Sequence, residues 1–469
     1  MTAQPSKSVA VVGGGISGLI AARELQSHGV RVHLYEAGAR VGGKIRTGEL
    51  RDVPVEEGPD SFLARDPVAV RLCDDLGLSG DLVTPAIFGA HILLKGRLVK
   101  LPPGLPYGIP ISPWSAYRSG ALSLSGALRA AAEPVTGRRL TGRDVSVAAF
   151  IRKRFGREAL DRLVDPLLAG TRAGATGKMS LAAALPAADE AARNSRSVML
   201  ALRRARKASG ETGAPPFLGL RGGMTRMIDA LHEGLDSVTA GTTVESVRQE
   251  AGVGYELILS GNVKVHADGV VLAIPAYSAA PLLQELVPQA SRLLEKIEYA
   301  SVAVVSLAYP SDALPIPADA SGLLIPVSAG RTISAITWFS QKWPHTRPPD
   351  GAQIVRAFVG RAGRTRALDL TDAELAGRAA TELSDILASD AFPDDVRVSR
   401  WERSLPQYQV GHLSRVEEIE RSLERHPRVA LTGAGYRGSG IPDCIRSART
   451  AAHTVARGLG LAPDPQDRA

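Results

Sequence analysis

The chain has 469 residues, 44% hydrophobic and 22% charged, the balance of a folded globular protein too long for one hydrophobic core, so two or three lobes are expected. Only two cysteines are present, Cys73 and Cys444, which excludes a disulfide framework and suits a reducing compartment. The net charge is +8, fitting an acidic ligand or an anionic surface. Its densest cluster, Arg203, Arg204, Arg206 and Lys207, lacks interleaved aromatics and reads as a solvated helix face, so nucleic acid is not expected as a partner. The polar start leads straight into an apolar run, and no apolar run nears the roughly twenty residues that span a bilayer. A cytoplasmic protein with at most peripheral membrane contact is expected.

Residues 9–12 form a short apolar run that predicts a buried parallel strand. Gly13, Gly15 and Gly18 then occupy the glycine positions of G-x-G-x-x-G, with Gly14 as a fourth beside them, and Leu19, Ala22 and Leu25 continue with helical spacing. The glycines allow a tight turn, a bare backbone against a diphosphate and close packing of the helix that opens at Ile16 and Ser17. Gly29 stops that helix. A second strand over 30–35 ends at Glu36, where a carboxylate can accept ribose hydroxyls and disfavours a 2′-phosphate. The order of strand, glycines, helix, strand and acid predicts a dinucleotide site; a structural turn in an unrelated α/β domain is the bland alternative. Arg40 to Lys44 then add an R-x-G-G-K run.

Further on, 53–62 reads as a strand and a Gly-Pro turn, 66–78 as a helix, and 89–100 as a hairpin turning at Lys95 and Gly96. Residues 101–113 are a Pro- and Gly-rich loop. The stretch 115–235 is mainly helical, with Asp144, Asp161, Ser180 and Ser197 as caps. Within it, 165–177 is expected to be non-helical on its glycine content. Residues 242–274 predict strands, and 302–309, 322–326, 333–339 and 354–359 a second sheet covered by a helix over 372–387. A strand over 429–431, a glycine-rich loop and a helix over 445–459 close the chain, with 462–469 frayed. The fold class is α/β: a Rossmann-like two-dinucleotide-binding domain from 1–85, 215–275 and 400–469, a helical domain over 86–214 and a mixed-sheet substrate domain over 276–399.

The run at 40–44 resembles the second fingerprint of the flavin monoamine-oxidase-like superfamily, and several segments are more specific: GPDSF at 58–62, DPLLAG at 165–170, IPVSAGRTISAITWFSQKWPH at 325–345, LPQYQVGH at 405–412 and YRGSGIPDCI at 436–445. Together they resemble the porphyrinogen oxidases of haem synthesis, in particular the bacterial soluble branch acting on coproporphyrinogen III. The resemblance implies an FAD enzyme that takes six electrons from the porphyrinogen in three rounds and reduces O2 to H2O2, with a downstream ferrochelatase as a partner. By position it implies that Gly13, Gly14, Gly15, Ile16, Ser17 and Gly18 hold the diphosphate and Glu36 and Ala37 the ribose. It also implies Lys44, Gly58, Pro59, Asp60 and Ser61 on the flavin side, Val244 at the adenine, and Trp401, Ile441, Pro442 and Asp443 near the isoalloxazine.

Thr171 and Arg172 depart from the family pattern. Arg172 either clamps a substrate propionate or points to solvent. No acid/base dyad stands out, the nine histidines show no metal-ligand clustering, and His412 reads as a structural hydrogen-bonding residue. Protoporphyrinogen IX oxidase, a flavin amine oxidase or desaturase, and a non-catalytic flavin-containing tetrapyrrole carrier remain open, as does the oligomeric state.

Overall fold

A computed structural model describes residues 7–102, 105–208, 216–250 and 254–461; the end expected to fray lies outside them. Its centre is a five-stranded sheet in the order Val238–Thr239, Arg31–Tyr35, Ser8–Val12, Gly269–Leu272 and Val429–Leu431, every pair parallel. The strands are apolar on both sides because both faces are covered. Helices Ile16–Ser27 and Ile441–Gly458 pack on one face. On the other lie the antiparallel strands Val244–Glu250, Gly254–Leu259 and Val263–Ala267 with helices Ala276–Leu282, Pro288–Leu294 and His412–Leu423. The nucleotide lobe is therefore built from segments far apart in sequence, as the returning C-terminal strand and helix implied.

The second sheet has seven strands, in the order Asp395–Pro406, Tyr299–Tyr309, Gln353–Val359, Ile333–Trp338, Gly322–Leu324, His91–Leu94 and Arg97–Lys100. One face is covered by helix Asp372–Leu387, which starts in a capping box between Thr371 and Glu374. The proposed domain boundary at 400 falls inside the edge strand Asp395–Pro406, and the hairpin placed in the helical domain belongs to this sheet. The edge strand carries Arg397, Arg400, Glu402 and Arg403, charges that blunt an open edge and mask the strand's alternation.

A helical layer fills much of 113–208. Its core runs from Ile109 to Leu202 and encloses the acid Glu133. Glu133, fully buried, accepts from Ser197 Oγ at 2.6 Å and from the Val198 N–H at 2.9 Å, closing the start of helix Val198–Ala208. Ser180 caps as expected, whereas Ser146 rather than Asp144 caps Val147–Phe155, and Asp161 sits inside a π-helical turn.

The expectation of a non-helical 165–177 is corrected over its first half, because Asp165–Arg172 is helix. Gly170 serves packing: a Cβ there would stand 3.0 Å from Leu324 Cδ2 and 3.3 Å from the Ala335 Cβ, on the second sheet. The helix stops at left-handed Ala173. The final helix likewise begins at Ile441, four residues before its expected start, with Pro442 in its first turn.

Candidate active site

The carboxyl ends of the parallel strands open on a cleft of about 620 Å³ lined by Gly13, Gly15, Glu36 and Val244 among others, the place where open α/β sheets bind ligands. Gly13 has φ +105°, and a Cβ there would lie 2.6 Å from the Ala273 carbonyl oxygen; the turn admits only glycine. At Gly18 a Cβ would meet the Gly13 carbonyl oxygen at 1.8 Å, so the helix seats directly on the loop. Gly15 is different. Nothing lies within 4 Å of the Cβ it lacks, and beside it Ile16 and Ser17, the uncapped first turn of the helix, also line the cleft. A bare backbone and a positive helix end facing open space form a cradle for a diphosphate.

Glu36 stands at the end of the second strand. Its Oε2 accepts the Gly14 N–H at 2.6 Å and its Oε1 the Gly38 N–H at 2.7 Å. A carboxylate offers about four acceptor positions, so two remain for ribose hydroxyls. Ala37 and Val244 continue this end of the cleft, while Lys44, Pro59, Tyr299 and Ile441 also line it. Burial lowers the pKa of Lys44, and its ammonium lies 5.9 Å from the Tyr299 ring centre. A larger groove, of about 970 Å³, runs between helices His412–Leu423 and Ile441–Gly458 over the strand Val429–Leu431. It touches none of the first glycine loop, and Asp443 lines it.

The flavin-containing amine oxidoreductase family matches residues 16–456. The chain belongs to that family. It is 34% identical to the coproporphyrinogen III oxidase of Bacillus subtilis (strain 168), covering 95% of this chain and 97% of that protein. The Staphylococcus aureus coproporphyrinogen III oxidase is 30% identical, covering 96% and 99%. A solved structure from Exiguobacterium sp. 255-15, named as a protoporphyrinogen oxidase, superposes with TM-score 0.86 at 30% identity, covering 97% of this chain and all of that one. A reduced UDP-galactopyranose mutase shares the fold alone, with TM-score 0.74 at 16% identity over 98% of this chain and 97% of that one. This chain is thus a flavin oxidoreductase, similar over nearly its whole length to porphyrinogen oxidases.

In this flavin oxidoreductase the remaining expected site residues are not among those lining the cleft, and Asp443 lines the larger groove. Gly14 donates to Glu36. Gly58 lets its segment pass Lys44, since a Cβ would lie 2.1 Å from the Lys44 carbonyl oxygen, and its own carbonyl accepts from Arg356 Nη2 at 2.7 Å. Asp60 accepts from Lys342 Nζ at 2.8 Å, Trp343 Nε1 at 3.2 Å and Ser61 Oγ at 2.8 Å. Burial opposes its ionisation, but Lys342 and Arg356 outweigh that and hold it well below the usual carboxylate range. Trp401 Nε1 donates to the Glu57 carbonyl at 2.7 Å, with the Arg46 guanidinium 4.8 Å above the indole. Asp443 accepts the Gly440 N–H at 3.2 Å beside Pro442.

The glycine-rich loop expected after the strand at 429–431 lines the cleft through 433–435. Tyr277 and Tyr299 also line it, and sequence reasoning passed over them because isolated tyrosines carry no local signal. His412 has the structural role expected of it. Fully buried, it hydrogen-bonds the Tyr436 carbonyl through Nε2 at 2.7 Å and stacks on Tyr408 with ring centres 4.2 Å apart. Burial pushes its pKa down to about 4, so the neutral ring donates from Nε2. Arg172 is half-buried at the end of its helix, and its charge acts on Tyr408. Glu24, His28 and His453 bring ligand-type atoms within 4.8 Å of one another, a grouping hidden in sequence because His453 comes from the last helix; Arg449 lies 3.6 Å from that carboxylate.

Proposed function

We propose that this flavin oxidoreductase binds FAD and oxidises coproporphyrinogen III to coproporphyrin III in haem synthesis. Six hydrogens leave the macrocycle and three O2 become three H2O2. The supporting observation is similarity at 30–34% identity to coproporphyrinogen III oxidases across nearly the full length of both chains. The cleft fits the cofactor by its own chemistry: the open cradle at Gly15 to Ser17 for a diphosphate, Glu36 for a ribose, Val244 for the adenine end, and Lys44, Pro59 and Tyr299 for the flavin end. Bound FAD supplies a two-electron acceptor for hydride from a bridge carbon, and O2 then restores it.

The chain's own part is position and polarity. A reaction whose hard chemistry is the cofactor's asks the protein for placement of substrate and cofactor rather than for a protein nucleophile. The half-buried Lys44 puts a cation at the flavin end. Arg172 lies beside Tyr408, whose hydroxyl donates to the carbonyl of cleft residue Ala434 at 2.5 Å, and can pair with a propionate there. The test offers the flavin-loaded protein coproporphyrinogen III and protoporphyrinogen IX separately under air, following porphyrin fluorescence and peroxide together. Faster turnover of the tetracarboxylate with three peroxides per porphyrin supports the reading. Preference for the dicarboxylate makes the chain a protoporphyrinogen oxidase, and porphyrin binding without peroxide makes it a carrier.

A further inference from the structure

A second groove, of about 820 Å³, opens at the end of the seven-stranded sheet between the turn at 327–332 and the segment 360–370. Five arginines and one acid, Asp369, line it. Two of the arginines are spent on the fold. Arg361 grips both Asp165 oxygens at 3.1 and 3.2 Å and the Gly174 carbonyl at 2.8 Å, and Arg331 pairs with Asp385 at 2.6 Å. The other three, Arg364, Arg366 and Arg378, are exposed, and their side chains make no hydrogen bond or ion pair among the described residues. Three unpaired guanidinium groups around one concavity with a single carboxylate leave excess positive charge that a multiply charged anion would relieve.

The groove is joined to the cleft by packed residues. Gly363 lines it and also lines a small cavity of about 150 Å³ that includes Gln407 and Tyr408. Gln407 Nε2 donates to the Arg172 carbonyl at 3.3 Å, and Tyr408 reaches Ala434. The Ala362 N–H donates to the Ala173 carbonyl at 2.8 Å, which ties the groove's rim to the end of the helix carrying Arg172. The chain segment after Arg172 is thus tied to the groove's rim, and the bidentate Arg361–Asp165 pair holds that rim in place.

We propose that Arg364, Arg366 and Arg378 form a carboxylate-binding site for the outer propionates of the porphyrinogen and of its porphyrin product, favouring four carboxylates over two. The proposal rests on the function read above. Arg172 serves the inner end; these three serve capture and retention.

The test uses the flavin-loaded protein with all three changed, Arg364→Gln, Arg366→Gln and Arg378→Gln, and separately Arg378→Glu, a single change on an exposed helix face in case the triple variant folds poorly. Flavin content and Tm are checked first. For the triple variant, coproporphyrin III binding, read by fluorescence titration, is expected to weaken about tenfold. Protoporphyrin IX binding should change less than about threefold. With turnover, the loss should fall in KM rather than kcat, and the dependence of kcat/KM on salt should flatten. Unchanged coproporphyrin affinity, or equal losses for both porphyrins, in either folded variant would overturn the site. Porphyrin binding is measured without turnover, so absence of oxidation by the unaltered protein would count against the proposed function alone.

Discussion

The carboxylate of Glu36 takes the main-chain N–H of Gly14 at 2.6 Å, so the acid that closes the second strand also fixes the shape of the glycine loop. Recognition and loop geometry share one side chain. In Glu36→Gln the amide nitrogen would oppose one of the two main-chain donors now held, and an acceptor for ribose would be lost. The expected outcome is flavin affinity lower by about 1–3 kcal/mol, roughly fivefold to 150-fold, seen as a fall in the ratio of flavin to protein absorbance after purification. Full flavin content would refute the role of Glu36.

Gly15 and Gly18 make a matched pair. Gly15→Ala adds a methyl into open space at φ −70°, so Tm of the cofactor-free protein should stay within about 2 °C while flavin binding is lost to steric conflict with the diphosphate. Gly18→Ala drives a methyl into the Gly13 carbonyl and should destabilise the fold by about 2–3 kcal/mol or more. Thermal melts of both apoproteins beside flavin titrations check this; equal destabilisation would mean the Gly15 cradle is not open.

Glu56 is buried, accepts the Met224 N–H at 2.6 Å and takes a hydrogen bond from Thr47 Oγ1 at 3.0 Å. Burial raises its pKa to about 7. The native state therefore keeps a proton that the unfolded chain releases near pH 4.5, and stability falls as pH rises from 4.5 through 7. Glu56→Gln should be more stable than the parent at pH 8, by at most about 3 kcal/mol, and should show no such gain at pH 4. Urea unfolding at the two pH values decides it, and a gain independent of pH would count against a buried titrating group.

His412 acts in the opposite direction. Its pKa lies near 4 in the folded chain against an ordinary 6.5, so above pH 6.5 both states are neutral and the group adds no pH dependence. As pH falls from 6.5 to 4 the unfolded chain takes up a proton that the buried ring refuses, costing up to about 3 kcal/mol. His412→Phe should lose stability at pH 7.5 with the bond to Tyr436, and its deficit should shrink towards pH 4. A deficit constant across that range, measured by urea unfolding, would contradict the depressed pKa.

The dinucleotide lobe was legible because its signals are local: the apolar run at 9–12, the glycines and Glu36 all lie within one βαβ unit. The hairpin at Lys95 and Gly96 was legible for the same reason, both residues having positive φ in the turn. Non-local uses of a residue type were harder to read. Gly170 looked like a loop former, yet it lets Leu324 and Ala335 approach a helix, and no spacing within 165–177 reveals partners more than 150 residues away. The strand Asp395–Pro406 hid its alternation behind edge charges. Tyr299 gains its place in the cleft from tertiary packing alone, and the partners of Asp60 and Trp401, Lys342 and Glu57, come from other segments.

Ser17 Oγ and the Cys444 carbonyl lie 3.5 Å apart across 427 residues of chain, bringing the first turns of the opening and closing helices together. Contacts this distant cannot form during most of synthesis on the ribosome. The opening βαβ unit must wait, with part of its apolar helix face uncovered, until the last helix has emerged. Cofactor uptake is then a late event in the life of the nascent polypeptide, and premature termination anywhere before residue 441 yields a product that cannot finish its prosthetic-group pocket.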